Sequence, residues 1–346
     1  MEDQDAIKRT DVNELGEFGL IDHLTLNTVH YQDSTIKGVG DDAAIIDVGQ
    51  DYLVTTQDLL VEGIHFDLSY TPLKHLGYKA VIVNLSDIYA MNAIPTQITV
   101  GIAISNKYSV EALEELYEGI HLACRLYQVD LVGGDTTSNP RGMTISISAM
   151  GRVPKDKVVL RSGGKPGDIL CLTGNIGAAY LGLQVLEREK QVFQEVPGLQ
   201  PDLEDFVYMI ERQLKPEARR DAVLYFAEQG VKPTAMIDVS DGLASEIFHI
   251  CKQSGTGALI EEAKVPIHID AQKLAIDLNL DPITVALHGG EDYELLFAID
   301  PKDLEPIRNM PDVYIIGELT EASHGVKLQS SGGQIHTLKA QGWTHF

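Results

Sequence analysis

Segments with the length and pattern of strands and helices alternate along this chain, and one stretch without periodicity, residues 151–168, interrupts them. That stretch is rich in Gly, Pro and Lys, which is typical of a connection between structured units. Strands that alternate with helices predict α/β units, and the alternation restarts after the interruption. The 346 residues also exceed the usual size of one domain. We therefore predict two α/β domains, residues 1–152 and 153–346.

A few elements have especially clear patterns. Residues 143–150 alternate apolar and polar side chains and predict a strand. Residues 109–127 place one apolar stripe along a helix that Ser109 can cap. Residues 72–92 predict a second helix, largely buried, with Pro72 in its first turn. A short strand over 131–132 is expected to end before the two glycines that follow.

The charge of the chain excludes several classes of partner. Its 27 basic and 51 acidic residues give a formal net charge of −24. Nucleic-acid backbones and anionic membranes both require a basic footprint, so neither is an expected partner. A phosphorylated small molecule would require cations between protein and phosphate. With a polar N-terminus, no apolar run near the roughly 18 residues of a membrane span, and three widely separated cysteines, we expect a soluble cytoplasmic protein with free thiols.

Glycine-rich phosphate loops are weakly represented. The GxxxxGK[ST] pattern is absent, and Gly38–Ala43 matches GxGxxA by letter only, because a strand rather than a helix is predicted to follow it. The segment 172–182 has the better context, a strand turning into a helix through Gly174 and Gly177. A helix N-terminus there could hold an anion. Tight packing of the strand on the helix explains the same glycines equally well.

Acidic residues beside Gly or Ser recur at the edges of apolar segments. The five segments are KGVGDDAAII (37–46), NLSDI (84–88), LVGGDTT (131–137), IDVSDGL (237–243) and HGGEDYE (288–294). Ligand sites of α/β folds gather at strand ends and glycine turns. Carboxylates, together with waters and substrate phosphates, are the ligands of Mg²⁺. The pattern therefore predicts a phosphate site that holds several metal ions.

Each acid also has a simpler interpretation. Asp42 could belong to a turn before a strand, Asp87 to a solvated helix face, and Asp241 to a helix cap. These alternatives explain Asp58 and Asp238 less well, because each interrupts an apolar segment and would be costly there without a partner.

Taken together, the motifs resemble the thiamine-monophosphate kinase family. They occur in the family's order from about residue 16 to the C-terminus: GVGDDAAII, TTQDLLVEGIHF, YKAVIVNLSDIYAMNAIP, LVGGDTT, LRSGGKPGD, IDVSDGL, GGEDYELLF and GWTHF. Single motifs such as GGD are shared with aminoimidazole ribonucleotide synthetase, selenophosphate synthetase and a hydrogenase-maturation protein. The chain lacks the terminal cysteine of the last relative and the N-terminal cysteine or selenocysteine usual in selenophosphate synthetase.

The resemblance implies a fold, an activity and a set of site residues. The implied fold is the two-domain aminoimidazole ribonucleotide synthetase-like fold, α/β (α+β) in class, as a homodimer whose N-terminal strands form a barrel across the interface. The implied activity is ATP-dependent phosphorylation of thiamine phosphate to thiamine diphosphate with several Mg²⁺ ions. The implied metal ligands are Asp42, Thr56, Gln57, Asp58, Asp87, Asp135, Asp238 and Asp241. The implied ATP contacts are Gly134, Asp135, Arg161 and Ser240, and those to thiamine phosphate are His65, Glu291 and Trp343.

Two of these positions need comment. Thr or Ser is expected at position 57, so Gln57 departs from the family pattern and favours a backbone contact. Trp343, the only tryptophan, could stack on the thiazolium or pyrimidine ring of the substrate, or fill the core instead.

The implied chemistry needs no general base. The attacking oxygen belongs to the phosphate of the substrate, whose second pKa is roughly 6. Two rival functions are an ATP-dependent cyclo-ligase acting on a purine precursor and a non-catalytic metal-binding relative.

Overall fold

The computed structural model describes residues 14–196 and 199–339 of the chain. Two β-sheets form its framework, one from the first half of the sequence and one from the second. Each sheet is mainly antiparallel and is packed with helices, which confirms the predicted mixed α and β class. Within the described ranges, every helix is too short or too polar to span a lipid bilayer.

The first sheet contains six strands. In chain order they are β1 (Thr35–Lys37), β2 (Ala44–Asp47), β3 (Asp51–Val61), β4 (Ile94–Ile104), β5 (Asp130–Ser138) and β6 (Thr144–Pro154). Their order across the sheet is β1-β2-β3-β6-β4-β5, so β5 forms an edge. Neighbouring strands are antiparallel except β4 and β5, which are parallel.

The second sheet contains seven strands. They are β7 (Ile169–Thr173), β8 (Ala235–Asp238), β9 (Thr256–Glu261), β10 (Leu295–Ile299), β11 (Val313–Glu321), β12 (Val326–Gln329) and β13 (Ile335–Thr337). Their order is β13-β12-β9-β11-β7-β10-β8, and β12 pairs with β9 in parallel. The strand β8 therefore lies at one edge.

Ten α-helices accompany the two sheets in the described ranges. In the first half they are α1 (Gly16–Thr25), α2 (Leu73–Ala90) and α3 (Val110–Tyr127). In the second half they are α4 (Ala178–Glu195), α5 (Val207–Leu214), α6 (Arg220–Gln229), α7 (Leu243–Ser254), α8 (Ile269–Asp277), α9 (Pro282–His288) and α10 (Leu304–Arg308).

Helix α2 lies between the two halves of the molecule. It packs on β3 and β6 of the first sheet and on β8 and α5 of the second half, and 14 of its 18 residues are buried. One apolar cluster includes Ile88 and Tyr89 of α2 together with Phe226 and Phe297 of the second half. Each such aromatic or aliphatic side chain contributes about 1.5–3 kcal/mol when fully buried. The prediction of a largely buried helix near 72–92 is confirmed.

The other clear sequence patterns are also present, with changed bounds. Ser109 caps α3, since its side chain accepts a hydrogen bond from the Ala112 amide at 3.2 Å. The strand predicted over 143–150 continues to Pro154, because its last residues pair with the start of β3. The short strand predicted over 131–132 is wrong in extent. Because β5 pairs with β4 along its length, it runs through both glycines and Asp135.

Candidate active site

Three carboxylates from separate segments meet beside helix α2. Asp42 precedes β2, Asp87 lies near the C-terminal end of α2, and Asp238 is the last residue of β8. One carboxylate oxygen from each lies within 4.8 Å of the other two. Like charges this close repel strongly in a buried setting. We call Asp42, Asp87 and Asp238 the acid cluster; the first two come from the first half of the chain and Asp238 from the second.

Polar side chains of α2 fix the geometry around the acid cluster. The Asn84 Oδ1 atom accepts a hydrogen bond from the Asp58 amide at 3.0 Å, and its Nδ2 donates to the Ala80 carbonyl at 3.1 Å. The Ser86 hydroxyl donates to the Asp238 carboxylate at 2.6 Å. Because Asn84 and Ser86 are buried, these bonds are shielded from water. Helix α2 thus ties the end of β8 to the middle of β3.

Strand β3 brings Thr56 and Asp58 to the same side as the acid cluster. Alternate residues of a strand share a face. Thr56 pairs with Ala149 of β6, and Asp58 pairs with Ile147. The Thr56 hydroxyl donates to Asp87 Oδ2 at 2.6 Å. Both side chains therefore face α2, on the side of the sheet where the acid cluster lies.

Gln57 points the other way. It lies between Thr56 and Asp58 on the strand, so its side chain extends from the opposite face of the sheet. There its Nε2 atom donates to Ser146 at 3.0 Å, and Ser148 donates to its Oε1 atom at 3.2 Å. The Gln57 side chain is therefore not brought to the acid cluster, and any contact with a metal there would involve the backbone.

Burial makes these carboxylates poor acids in the absence of a cation. Burial raises the pKa of Asp42 to about 6. Burial, with the charge of Asp241 added, raises the pKa of Asp58 to about 6. Burial, with the charge of Asp42 added, raises the pKa of Asp238 to about 8, and burial beside Asp58 raises the pKa of Asp87 well above its ordinary value. A divalent cation would displace the retained protons.

Arg161 supplies one positive charge to the acid cluster. Its Nε and Nη2 atoms donate to Asp42 Oδ1 at 3.1 and 2.6 Å, and its amide donates to Asp41 at 3.0 Å. The second oxygen, Asp42 Oδ2, is buried and has no hydrogen-bond partner in the described structure. A buried carboxylate oxygen without a partner is costly. Oxygen donors with uncompensated charge suit a hard divalent cation such as Mg²⁺, so the acid cluster fits that ion.

Asp241 lies near the cluster, in the loop between β8 and α7. Its charge contributes to the raised pKa of Asp58, and its amide donates to Glu246 Oε1 at 3.0 Å. The Glu246 side chain is fully buried, and burial followed by the charge of Asp241 raises its pKa well above the ordinary value. The sequence analysis missed Glu246. It could have been recognised in the sequence as an acidic residue on the apolar face of helix α7, within one and a half turns of the loop that carries Asp241.

Glu291 lies beside the same loop. Its amide donates to the Ser240 carbonyl at 2.7 Å, which joins two residues assigned to different ligands by the resemblance. Its carboxylate accepts from Gln213 Nε2 at 2.7 Å and pairs with Lys79 at 3.1 Å. Neither Gln213 nor Lys79 was among the predicted site residues.

His65 follows strand β3. Its Nδ1 atom accepts a hydrogen bond from the Val61 amide at 3.0 Å. In the neutral ring the proton is therefore on Nε2. Trp343 lies outside the described residues.

Gly134 and Asp135 are not brought to the acid cluster. They lie in edge strand β5, which is three strands from β3, or about 14 Å at the usual strand spacing. Asp135 pairs with Gly101, and Gly101 with Ser146, which places Asp135 on the face of the sheet opposite Asp58. The prediction that Asp135 follows a strand end is wrong, because strand β5 continues past Asp135 to Ser138. Within one chain, Asp135 cannot share a metal with Asp58.

An open groove of about 530 Å³ lies beside this edge strand, between β5 and Tyr117 of α3. Gly134 lines it together with Asp135. A side chain at Gly134 would collide with the Val100 carbonyl oxygen, so the close pairing of β4 and β5 requires glycine at this position.

Comparison with known proteins agrees with this architecture. Residues 40–153 match the family model described as AIR synthase related protein, N-terminal domain, and residues 165–328 match the corresponding C-terminal domain. These two matches show that the chain, with its two-sheet fold, is an AIR synthase related protein.

Individual relatives narrow this class. The thiamine-monophosphate kinase of Bacillus subtilis is 33% identical over 96% of this chain and 100% of its own length. A solved structure described as "AaThiL complexed with AMPPCP and TMP" is 30% identical, with a TM-score of 0.82 and coverage of 99% of this chain and 100% of that one. Thiamine monophosphate kinase from Aquifex aeolicus is 29% identical, with a TM-score of 0.75 over 95% and 100% of the two chains. The chain belongs to the thiamine-monophosphate kinase family.

Proposed function

We propose that this chain phosphorylates thiamine phosphate to thiamine diphosphate by direct, in-line transfer of the γ-phosphoryl group of ATP, with several Mg²⁺ ions. The observation that carries the proposal is the acid cluster, in a chain similar over 96% of its length to a thiamine-monophosphate kinase. The relative described with AMPPCP, an ATP analogue, and TMP supports both substrates.

The acid cluster matches the main requirement of this reaction. Two polyanions must approach each other, yet the protein is itself strongly anionic. Asp42, Asp87 and Asp238 would hold magnesium, and Asp58 and Asp241, whose charges act on each other and, through Asp58, on Asp87, would hold further ions. Bound Mg²⁺ would offset the repulsion between the substrates and stabilise the charge on the transferring phosphoryl group.

The other residues bind and orient the substrates. The acceptor phosphate oxygen is already largely ionised near neutral pH, so no protein base is required. We propose that Arg161 and Ser240 contact ATP. With a cation bound at Asp42, the Arg161 guanidinium would be free to make this contact. Ring and amine groups of thiamine phosphate are assigned to His65, Glu291 and Trp343.

The place of Gly134 and Asp135 in this function depends on a second copy of the chain. Both lie in exposed edge strand β5, and edge strands invite pairing with another chain. We propose a homodimer joined through the first sheet, in which these two residues complete the ATP site. We also propose the division into domains at 152/153 and a cytoplasmic location, where ATP and thiamine phosphate are available.

The direct test is a product assay on purified protein. With ATP, Mg²⁺ and thiamine phosphate, chromatography should show thiamine diphosphate and ADP in equal amounts. Thiamine itself should not replace thiamine phosphate, because it lacks the attacking phosphate oxygen. ATP turnover with a purine precursor instead would favour the cyclo-ligase. Binding of Mg²⁺ and ATP without turnover of any substrate would favour a non-catalytic relative.

A further inference from the structure

A buried lysine lies behind Glu291. Lys79 is 5% exposed and belongs to α2. Its ammonium group donates to the Gln213 carbonyl at 3.0 Å and pairs with Glu291 Oε1 at 3.1 Å. Lysine is almost never buried without a paired charge, and water does not screen this pair as it would a surface one. The Lys79–Glu291 contact is therefore a buried ion pair that links the first half of the chain to the second.

Gln213 holds the other oxygen of the same carboxylate. Its Nε2 atom donates to Glu291 Oε2 at 2.7 Å, and Gln213 is itself buried in the last turn of α5. The two oxygens of Glu291 are thus bound by two different helices. The Glu291 side chain nevertheless remains 30% exposed, whereas the side chain of Lys79 alone is 6% exposed. The Glu291 carboxylate is therefore held by Lys79 and Gln213 while part of its surface remains accessible to a ligand.

The backbone of this segment is held in an unfavourable conformation. Glu291 has φ 59° and Tyr293 has φ 53°, in the left-handed region that side chains other than glycine rarely adopt. Their amides donate to the carbonyls of Ser240 and Val239 at 2.7 and 2.9 Å. Conformations of this kind persist only where surrounding contacts determine them, and they cluster at ligand sites.

We propose that Lys79 and Gln213 are positioning residues that hold Glu291 ready to receive the thiamine part of the substrate, an inference that rests on the proposed function. The clamp, defined as Lys79, Gln213 and Glu291, presents a fixed carboxylate to an amine or cationic ring. Lys79 and Asp87 are eight residues apart on α2, about 12 Å along the helix axis. One rigid helix thereby sets the distance between the clamp and the acid cluster.

The test removes the polar end of each side chain but keeps its approximate length. Lys79→Met and Gln213→Met are compared with Lys74→Met, which removes the exposed Lys74–Glu118 pair from the same helix. We expect each clamp variant to raise KM for thiamine phosphate about tenfold or more, while KM for ATP changes less than about twofold. Lys74→Met should leave both values unchanged.

A second measurement does not depend on turnover. Amide hydrogen exchange of the peptide covering 288–294 should accelerate about tenfold or more in the clamp variants and stay at the wild-type rate in Lys74→Met. If Lys79→Met does not fold, Gln213→Met decides alone.

The outcomes separate the two proposals. Equal changes in both KM values, or unchanged exchange in the 288–294 peptide, would overturn the role of the clamp. A wild-type protein that forms no thiamine diphosphate would refute the proposed function, and the exchange comparison would then decide whether Lys79 and Gln213 hold Glu291.

Discussion

At the scale of single residues, the site is a set of carboxylates whose charges oppose folding. Asp58 shows this most simply. Burial and then the charge of Asp241 both raise the pKa of its side chain, so its ionised form is disfavoured in the folded protein. A group of this kind is retained for what it binds rather than for the stability of the fold.

Asp58→Asn should separate these two effects. The amide keeps the size of the side chain and the Asn84 contact, which involves the Asp58 backbone. Activity should fall at least about 100-fold, since losing metal stabilisation of the transition state costs several kcal/mol. Without Mg²⁺ near pH 8, the variant should be more stable than wild type by roughly 1–3 kcal/mol, because a buried charge has been removed. Kinetic assays and thermal unfolding measure both quantities.

The exposed Asp156 provides the control, since its side chain is 78% exposed. Asp156→Asn should change neither quantity. A fully active Asp58→Asn enzyme, or one that is less stable without Mg²⁺, would contradict the assignment of Asp58 to the metal site.

At the scale of elements, helix α2 determines the site, and it does so through a close crossing with α3. Gly77 of α2 lies against the Leu116 carbonyl, and Gly119 of α3 against the Lys74 carbonyl, so that a methyl group at either glycine would collide with backbone. The two helices approach this closely only because both contact points lack a side chain.

Gly119→Ala should therefore destabilise the protein although alanine is the better helix former. Overpacking against backbone typically costs about 1–3 kcal/mol, more than the roughly 1 kcal/mol that alanine gains in an exposed helix. Gly19→Ala in α1 is the matched control, because its added methyl meets only ordinary contact with Leu15. Denaturant unfolding should show opposite signs for the two variants; a stabilised Gly119→Ala protein would show that the helices can separate without cost.

The sequence predicted helices and strands correctly where local sequence alone determines them. The α3 stripe followed from periodicity, its cap from the Ser109 side chain, and the buried character of α2 from the apolar residues that flank Asp87. Strand β5 was not recoverable, because Gly133 and Gly134 favour a turn locally and only pairing with β4 keeps them extended. The same long-range pairing moved Asp135 away from the other acids. The clamp could not be predicted either, because the sequence does not show which distant residue pairs with a lysine in an apolar helix.

At the scale of the whole molecule, the acid cluster exists only when the two halves are packed together. Asp42 and Asp87 come from the first half and Asp238 from the second. The shared apolar core around α2 holds them at a separation that their charges oppose. Ionisation of these carboxylates therefore opposes folding and a bound cation would offset that cost, so the stability of the protein should depend jointly on pH and Mg²⁺.

The sign of this dependence follows from the raised pKa values. Carboxylates with pKa values of about 6 to 8 in the folded state bind more protons there than in the unfolded chain. Their contribution is complete below about pH 4 and is lost as pH rises toward 8. Mg²⁺ replaces those protons, so the increase in Tm on adding Mg²⁺ should be at least about 3 °C larger near pH 8.5 than near pH 5.5. Calorimetry at the two pH values measures it, and an increase that is equal or smaller at high pH would contradict the account.

The most direct measurement is the magnesium dependence of thiamine diphosphate formation by wild-type protein and by Asp87→Asn. Asp87 lies at the centre of the site, bonded to Thr56 and close to both other members of the acid cluster. We predict product from wild type only when Mg²⁺ is present, and a rate at least about 100-fold lower from the folded variant at every Mg²⁺ concentration. Product without Mg²⁺, or an Asp87→Asn enzyme as active as wild type, would show that the acid cluster is not where metal and phosphate meet.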